Sequence, residues 1–291
     1  MTIIAGFSSS RQSAAPLQLA AQVARSTGEK VIAAAIVERA FPPRDDPVER
    51  EYLRYVSAQA QKSLERVVEQ LPADQDIPIV VHQSTSIPTG LMELVEENGA
   101  SLAVVGSSSA GLLGRIGLGS VTERLVPTAA VAVASAPRGY APGSEPIRML
   151  TAAYGGEADV NGLIPAAAEL ATAWSVPLRI VSFTVRPVGG SIEPTAENLV
   201  VQQWSKRTFD DIVTKLNAVR ERLAVPDVEV VVGSGRDWRE AVEAVPWASG
   251  DILLMGSGAA GPLARVFLGS AASKIVRHVP VPVMIVPRHR N

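Results

Sequence analysis

A stretch of twenty residues occurs twice in this chain, and the repetition restricts the possible folds more than any other property. Residues 101–120 read SLAVVGSSSAGLLGRIGLGS, and residues 251–270 read DILLMGSGAAGPLARVFLGS. The positions that the two copies share include Gly106, Ser107, Gly111, Arg115, Leu118, Gly119 and Ser120, which recur 150 residues later as Gly256, Ser257, Gly261, Arg265, Leu268, Gly269 and Ser270. Near the start of each half, residues 3–7 pair best with residues 149–153, at an offset of 146. A fixed period is typical of a repeat architecture, so we predict the duplication of a unit of about 145 residues.

A segment rich in proline and glycine separates the two copies. Residues 135–146 read SAPRGYAPGSEP, with three prolines and two glycines, and they offer few side chains to a core. This composition is typical of a linker. We therefore predict a first domain over residues 1–138, a linker over residues 139–146 and a second domain over residues 147–291.

Each half alternates short apolar runs with longer amphipathic segments. In the first half we predict strands over 2–7, 31–37, 78–82, 102–105 and 130–134, and helices over 14–26, 48–71 and 88–98. In the second half we predict strands over 147–153, 178–184, 227–232, 251–255 and 281–286, and helices over 162–174, 196–223 and 236–247. Such alternation predicts an α/β fold with a mostly parallel sheet covered on both faces. Ligands of such sheets bind at the carboxyl ends of the strands.

The composition excludes several classes of protein. Lys and Arg number 27 against 29 Asp and Glu, so the chain has no broad positive surface for nucleic acid. No apolar run reaches the roughly 18 residues that a membrane span requires. The N-terminus also lacks the basic segment and apolar stretch of a secretory signal. We therefore expect a cytoplasmic protein that binds neither nucleic acid nor membrane.

The sequence offers little for catalysis or for metal binding. It contains no cysteine, and its three histidines, His82, His278 and His289, are scattered. No Ser-His-Asp or Cys-His arrangement can be assembled from these residues. We therefore expect neither a metal site nor a dedicated enzyme, although slow nucleotide hydrolysis stays open as an alternative.

The repeated glycine-rich loops are the candidate binding elements. Gly106 follows a buried strand, and Gly119 with Ser120 opens a helix 13 residues later. Glycines allow close backbone approach, and a helix start presents free N–H groups to an anion such as a phosphate. Ser120 and Ser270 could instead serve only as helix caps, with the glycines serving only as turns. Because both copies keep glycine and serine at the same spacing, we favour a phosphate-binding ancestor.

Two better-known nucleotide motifs do not fit. Gly256, Gly258 and Gly261 match GxGxxG, but a dinucleotide fold needs an acid roughly 20 residues later, and no Asp or Glu follows Asp251. The first copy breaks the pattern at Ser108. No GxxxxGK[ST] occurs either, so the chain is not a P-loop ATPase.

The loops resemble the signature of the universal stress protein family, which is Gly, two residues, Gly, nine residues, then Gly-Ser or Gly-Thr. The resemblance covers nearly the whole chain as two tandem domains, a form common in actinobacteria. It implies two doubly wound domains of Rossmann-like, adenine nucleotide alpha hydrolase-like type, each with a five-stranded, mostly parallel sheet flanked by helices. It also implies pairing of the two domains through their last strands, here 130–134 and 281–286. We accordingly expect an internal pseudo-dimer that can dimerise again as a homodimer.

Some members of that family bind adenine nucleotides, and the resemblance implies which residues would do so here. The first-half candidates for ATP or another adenine nucleotide are Ser8, Gly106, Ser109, Gly119 and Ser120. The weaker second-half candidates are Gly256, Gly269 and Ser270. Both halves depart from the family: the second motif glycine is Ser109 or Ala259, and the acid after the first strand is Ser8 or Tyr154. The first half is therefore the better candidate within a stress-response or regulatory protein, and the alternative is a nucleotide-independent interaction scaffold.

Overall fold

Strands and helices alternate along the chain, as the apolar pattern predicts. The computed structural model describes residues 1–8, 13–40, 46–72, 74–108, 113–117, 119–156, 162–185, 194–225 (side chains from 202), 227–257 and 270–287. These residues belong to two compact units, residues 1–146 and residues 147–291. Each unit is described by itself.

The first unit is a five-stranded parallel sheet with helices between the strands. Its elements are β1 (Thr2–Phe7), α1 (Ala15–Thr27), β2 (Lys30–Glu38), α2 (Pro47–Val68), β3 (Ile79–Ser84), α3 (Ile87–Glu97), β4 (Ala100–Gly106), α4 (Ser120–Leu125) and β5 (Ala132–Ala136). The strands pair in the order β3-β2-β1-β4-β5. This doubly wound order confirms the predicted fold class.

The helices of the first unit begin and end at residues that satisfy their free backbone groups. The Ser86 hydroxyl accepts a hydrogen bond from the Thr89 N–H at 3.2 Å and thereby caps α3. At the other end of α1, Gly28 has a φ of 70°, and its N–H donates to the Ala24 carbonyl at 2.7 Å. Glycine adopts this left-handed conformation without steric cost, so α1 ends there.

The second unit repeats the same topology. Its elements are β6 (Met149–Ala153), α5 (Leu163–Trp174), β7 (Leu178–Val185), α6 (Pro194–Arg220), β8 (Val228–Gly235), α7 (Trp238–Glu243), β9 (Asp251–Gly256), α8 (Ser270–His278) and β10 (Val283–Val286). The strands are parallel in the order β10-β9-β6-β7-β8. The predicted pairing of the two domains through their last strands stays a prediction.

The α7 helix is shorter than the predicted helix over 236–247. It begins after Asp237, whose carboxylate accepts a hydrogen bond from the Glu240 N–H at 2.8 Å. It ends at Glu243, three residues before Pro246, because a proline disfavours helical conformation in the residue before it. The Trp247 indole N–H then donates to the Val242 carbonyl at 2.8 Å.

A glycine allows α3 to pack closely on its sheet in the first unit, and another glycine does the same for α7 in the second. In the first unit the glycine is on the helix: a Cβ added at Gly90 would lie 2.9 Å from the Cβ of Ser84 on β3. In the second unit the glycine is on the strand: a Cβ added at Gly235 would lie 2.4 Å from the Ala241 nitrogen on α7. Ser84 corresponds to Gly235, and Gly90 corresponds to Ala241, each 151 residues apart. Both units therefore have the same close contact between helix and strand, but the residue without a side chain is on the helix in the first unit and on the strand in the second.

The segment predicted as a linker contacts α1. The Tyr140 hydroxyl donates to the Gln22 side-chain oxygen at 2.5 Å, and the Gln22 amide donates to the Pro146 carbonyl at 3.3 Å. The Arg25 guanidinium also donates to the Gly143 carbonyl at 3.2 Å. Gln22 is fully buried, so these bonds satisfy a side chain that would otherwise be costly to bury. Residues 139–146 accordingly belong to the first unit in the structure.

Candidate functional site

The strand order reverses between β1 and β4 in the first unit, and a cavity opens at that point. Helices leave β1 and β4 toward opposite sides of the sheet there, so a crevice forms at the carboxyl ends of the two strands. The cavity has a volume of about 610 Å³, within the usual range of small-molecule sites. Ser8 follows β1 and Gly106 ends β4, and both line it.

The cavity is lined by both apolar and polar residues. The residues that β2 and α3 contribute form what we call the apolar wall, namely Ala34, Ile36, Ile87 and Leu91. Further apolar lining residues are Phe7, Ala15, Pro16, Val105, Leu113, Val121 and Pro137. The polar wall comes from the strand ends and the loop that follows β4, and consists of Ser8, Gly106, Ser107, Ser108, Gly119 and Ser120. A site of this kind suits a ligand with a flat apolar part joined to a polar or charged part.

The loop after β4 is folded back on itself beside the polar wall. The Ser108 N–H donates to the Gly117 carbonyl at 2.7 Å, and the Gly117 N–H donates to the Ser107 hydroxyl oxygen at 2.7 Å. The Ser107 N–H donates to the carbonyl of Ala136, the last residue of β5, at 3.0 Å. These bonds hold the two ends of the loop together beside the polar wall.

The two glycines of the polar wall stand where a side chain would narrow the cavity. A Cβ at Gly106 would lie 3.4 Å from the Pro16 ring at the start of α1, and a Cβ at Gly119 would lie 3.6 Å from the Cβ of Ser108. Both distances are ordinary van der Waals contacts, so a methyl group would fit at either position but would cover part of the backbone there. Glycine leaves that backbone uncovered.

Four of the five first-half candidates are brought together at the cavity: Ser8, Gly106, Gly119 and Ser120. The fifth, Ser109, lies outside the described residues. The glycine-rich motif marked the polar wall, whereas the apolar wall was missed, because Ile36 and Leu91 read in sequence as ordinary buried positions. Arg138, which lines the cavity beside Gly139, was also missed and lies 18 residues beyond the motif.

The corresponding position of the second unit is occupied by a buried tyrosine. Tyr154 follows β6 as Ser8 follows β1, and its side chain is almost inaccessible to solvent. Its hydroxyl donates to the Asp211 carboxylate on α6, and the Lys215 ammonium lies 3.1 Å from Asp211 Oδ1 and 5.5 Å from the centre of the Tyr154 ring. Ser8 has no such bulk, so the two units differ in the size of the side chain at this position.

Tyr154, Asp211 and Lys215 support one another electrostatically. Burial, with the Asp211 carboxylate, raises the pKa of Tyr154 above its ordinary value. The hydrogen bond from Tyr154, with that from Lys215, lowers the pKa of Asp211. At neutral pH the tyrosine therefore stays a hydrogen-bond donor and the carboxylate stays charged.

The remaining second-half candidates are only partly described. Gly256 ends β9, where a Cβ would lie 3.9 Å from Leu163, and Ser270 begins α8. The next residue, Ser257, donates its N–H to the Val286 carbonyl at 3.1 Å, which repeats the bond between Ser107 and Ala136. Gly269 lies outside the described residues. In the described residues the ends of β4 and β9 are thus alike, whereas the residue after the first strand differs.

Charged groups elsewhere in the units serve structural contacts. Asp251 is fully buried at the amino end of β9, away from the carboxyl ends where ligands bind, and its Oδ1 lies 2.6 Å from Arg148 Nη2. His82 Nε2 lies 2.6 Å from Glu93 Oε2 between β3 and α3. Within the described ranges, no three His, Asp or Glu side chains are placed to hold a metal ion. None of the helices described is both long and apolar enough to cross a membrane.

Comparison with known families gives a match over both units. The profile of the universal stress protein family matches residues 1–136 and again residues 150–287. Universal stress proteins of Mycobacterium tuberculosis and Mycobacterium bovis are each 30% identical to this chain over 296 aligned positions, covering 99% of it and 100% of the relative. The alignment therefore spans the full length of these relatives.

Solved structures share the fold across the whole chain. A universal stress protein from Archaeoglobus fulgidus aligns with a TM-score of 0.54 at 15% identity, covering 99% of this chain and 96% of its own. A functionally unknown protein from Pseudomonas aeruginosa aligns with a TM-score of 0.57 at 13% identity, covering 99% of this chain and 92% of its own. At these identities the likeness establishes the fold and nothing about ligands.

Proposed function

Because this chain belongs to the universal stress protein family as a tandem of two family domains, we propose that its first unit binds an adenine nucleotide, ATP being the first to test. The nucleotide acts as a regulatory ligand of a stress-response protein and is not turned over as a substrate. The observation that carries the proposal is the 610 Å³ cavity at the β1–β4 crevice, with one apolar and one glycine- and serine-lined wall.

The two walls suit the two ends of a nucleotide. The apolar wall, with Ile36 and Leu91, offers the flat adenine ring a place out of water, where burial of apolar surface is favourable. The polar wall offers hydroxyl groups of Ser8 and Ser120 and a backbone exposed at Gly106 and Gly119. Backbone N–H groups and hydroxyls are the donors that phosphate groups use in proteins.

The second unit has a different role in this proposal. Its site position is filled by Tyr154, which is held by Asp211, so a nucleotide would have to displace a buried, hydrogen-bonded ring. Displacing it would expose aromatic surface and break that hydrogen bond, and both changes oppose binding. We therefore assign one nucleotide to each chain, in the first unit.

The first test asks whether the purified protein carries a nucleotide. The protein is denatured and filtered, and the filtrate is analysed by chromatography and mass spectrometry. Near one adenine nucleotide per chain, or saturable binding of added ATP at the same stoichiometry by calorimetry, is the expected result. An empty filtrate together with no binding at millimolar ATP would favour the nucleotide-independent scaffold.

A single substitution tests whether ATP binds in the first-unit cavity. Ser8→Tyr installs the residue of the second unit at the cavity of the first, and we expect it to abolish ATP binding while the circular dichroism spectrum is retained. Ser144→Tyr is the matched control, because Ser144 is exposed in the same unit and does not line the cavity. Equal ATP affinity in the Ser8→Tyr variant and the wild type would place the ligand elsewhere.

A further inference from the structure

The charge along the first-unit cavity is of one sign. Among the described residues that line it, Arg138 is the single charged residue, and none is acidic. A ligand group that lies beside Arg138 therefore meets a cation with no competing carboxylate. Such a lining favours an anionic ligand group over a neutral group and disfavours a cationic group most strongly.

The backbone of Arg138 is fixed at the edge of the cavity. Its carbonyl accepts a hydrogen bond from the Gly114 N–H at 2.9 Å, and its own N–H donates to the Arg115 carbonyl at 3.5 Å. The next residue, Gly139, has a φ of 75°, and a Cβ there would lie 2.8 Å from Leu113 Cδ1. The backbone of residues 137–139 is thus held against residues 113–117, and the side chain of Arg138 is exposed.

Among the described residues, none forms an ion pair with the guanidinium of Arg138. No carboxylate in the described part of the chain pairs with it, although seven ion pairs are formed there by other residues. A ligand anion therefore need not break an existing salt bridge to reach Arg138. Its planar set of donors also suits the paired oxygens of a phosphate group.

We infer that Arg138 binds the phosphate groups of the ligand and makes the cavity selective for phosphorylated ligands over the free nucleoside. This inference rests on the proposed function, because it assigns a role within the same cavity. Arg138 lies after β5, outside the glycine-rich motif, so it adds a side-chain cation to a wall otherwise built from backbone and hydroxyl groups.

Calorimetry on the full chain tests the inference with three probes: ATP, adenosine and inorganic tripolyphosphate. We expect Arg138→Gln to weaken ATP binding by about 10-fold or more, as the loss of a charge-assisted contact predicts, and to leave adenosine binding unchanged. Arg138→Lys should retain part of the ATP affinity, because it keeps the charge and loses the planar donor set. Arg124→Gln is the matched control, since Arg124 is an exposed arginine of α4 that does not line the cavity.

The probes separate failure of the inference from failure of the proposed function. If the wild type binds ATP and Arg138→Gln binds it equally well, the inference is overturned and the proposed function stands. If the wild type binds tripolyphosphate through Arg138 but shows no preference for the adenine nucleotide, the inference stands and the proposed function is overturned. If the wild type binds none of the probes at millimolar concentration, both are overturned.

Discussion

Replacing Gly90 by alanine should destabilise the first unit, although alanine is the better helix former. In an open helix interior the change would stabilise by about 1 kcal/mol. Here the new methyl carbon would lie 2.8 Å from Ile36 Cγ2, 2.9 Å from Ser84 Cβ and 3.1 Å from Ile36 Cδ1. Overpacking of this kind costs about 1–3 kcal/mol, and contacts on two strands place the cost toward the upper end. The expected net loss in the free energy of unfolding is therefore about 1–2 kcal/mol.

Urea unfolding of the full chain measures this loss and can assign it to a unit. All four tryptophans, Trp174, Trp204, Trp238 and Trp247, lie in the second half of the chain. Tryptophan fluorescence therefore follows the second unit, whereas circular dichroism at 222 nm, a wavelength dominated by helical signal, follows both. Amide hydrogen exchange read by mass spectrometry should show the loss of protection in peptides of the first unit.

The double variant Gly90→Ala with Ser84→Gly is the matched control for the cause. It recreates in the first unit the arrangement of Ala241 and Gly235 in the second, and it removes one of the two strand contacts. We expect a favourable coupling of about 1 kcal/mol between the two changes. A Gly90→Ala variant as stable as the wild type, or more stable, would refute the reasoning, because α3 would then move freely over the sheet.

Two further predictions concern the second unit. Tyr154→Phe removes the hydrogen bond to Asp211 and keeps the buried ring, so we expect the free energy of unfolding to fall by about 1 kcal/mol. Urea unfolding followed by tryptophan fluorescence measures this loss. An unchanged transition would contradict the structural role of Tyr154. Glu240, whose carboxylate accepts from the Arg236 N–H at 2.9 Å, has its pKa lowered from 4.5 to about 2 by the Arg236 side chain and backbone. The contribution of the Glu240 carboxylate to stability is present above its ordinary pKa and is lost as the pH falls from 4.5 toward 2. Replacing Glu240 by Gln should therefore reduce the slope of the free energy of unfolding against pH in that range. An identical pH profile in the variant and the wild type would count against the assignment.

The order of the elements could be predicted from the sequence because each strand and helix carries its own local pattern. The buried residues of β1 and the cap of α3 at Ser86 are local signals of this kind, and the predicted strands and helices match them. The end of α7 was predicted four residues too late, because the apolar pattern continues through Val245 and Trp247 while Pro246 ends the helix. Periodicity therefore located the element, and backbone chemistry set its length.

The candidate site was predictable only where a motif is contiguous. Gly106, Gly119 and Ser120 lie within 15 residues of one another and share a recognisable spacing. Arg138 lies at the cavity because residues 137–139 are hydrogen-bonded to residues 113–117. This is a tertiary contact, and no local sequence pattern indicates it. The partner of Tyr154 is likewise 57 residues away on α6, so the sequence could indicate that Tyr154 is bulky but could not show what holds it.

The reciprocal glycines also determine which parts of the two units can be exchanged. A chimera that carries α7 in place of α3, with the strands unchanged, would set Ala241 against Ser84, with a side chain on both sides of the contact. The opposite exchange would set Gly90 against Gly235, with a side chain on neither side and a gap in the packing. We therefore expect recombination between the two copies to preserve this contact only when each helix is exchanged together with the strand that it contacts.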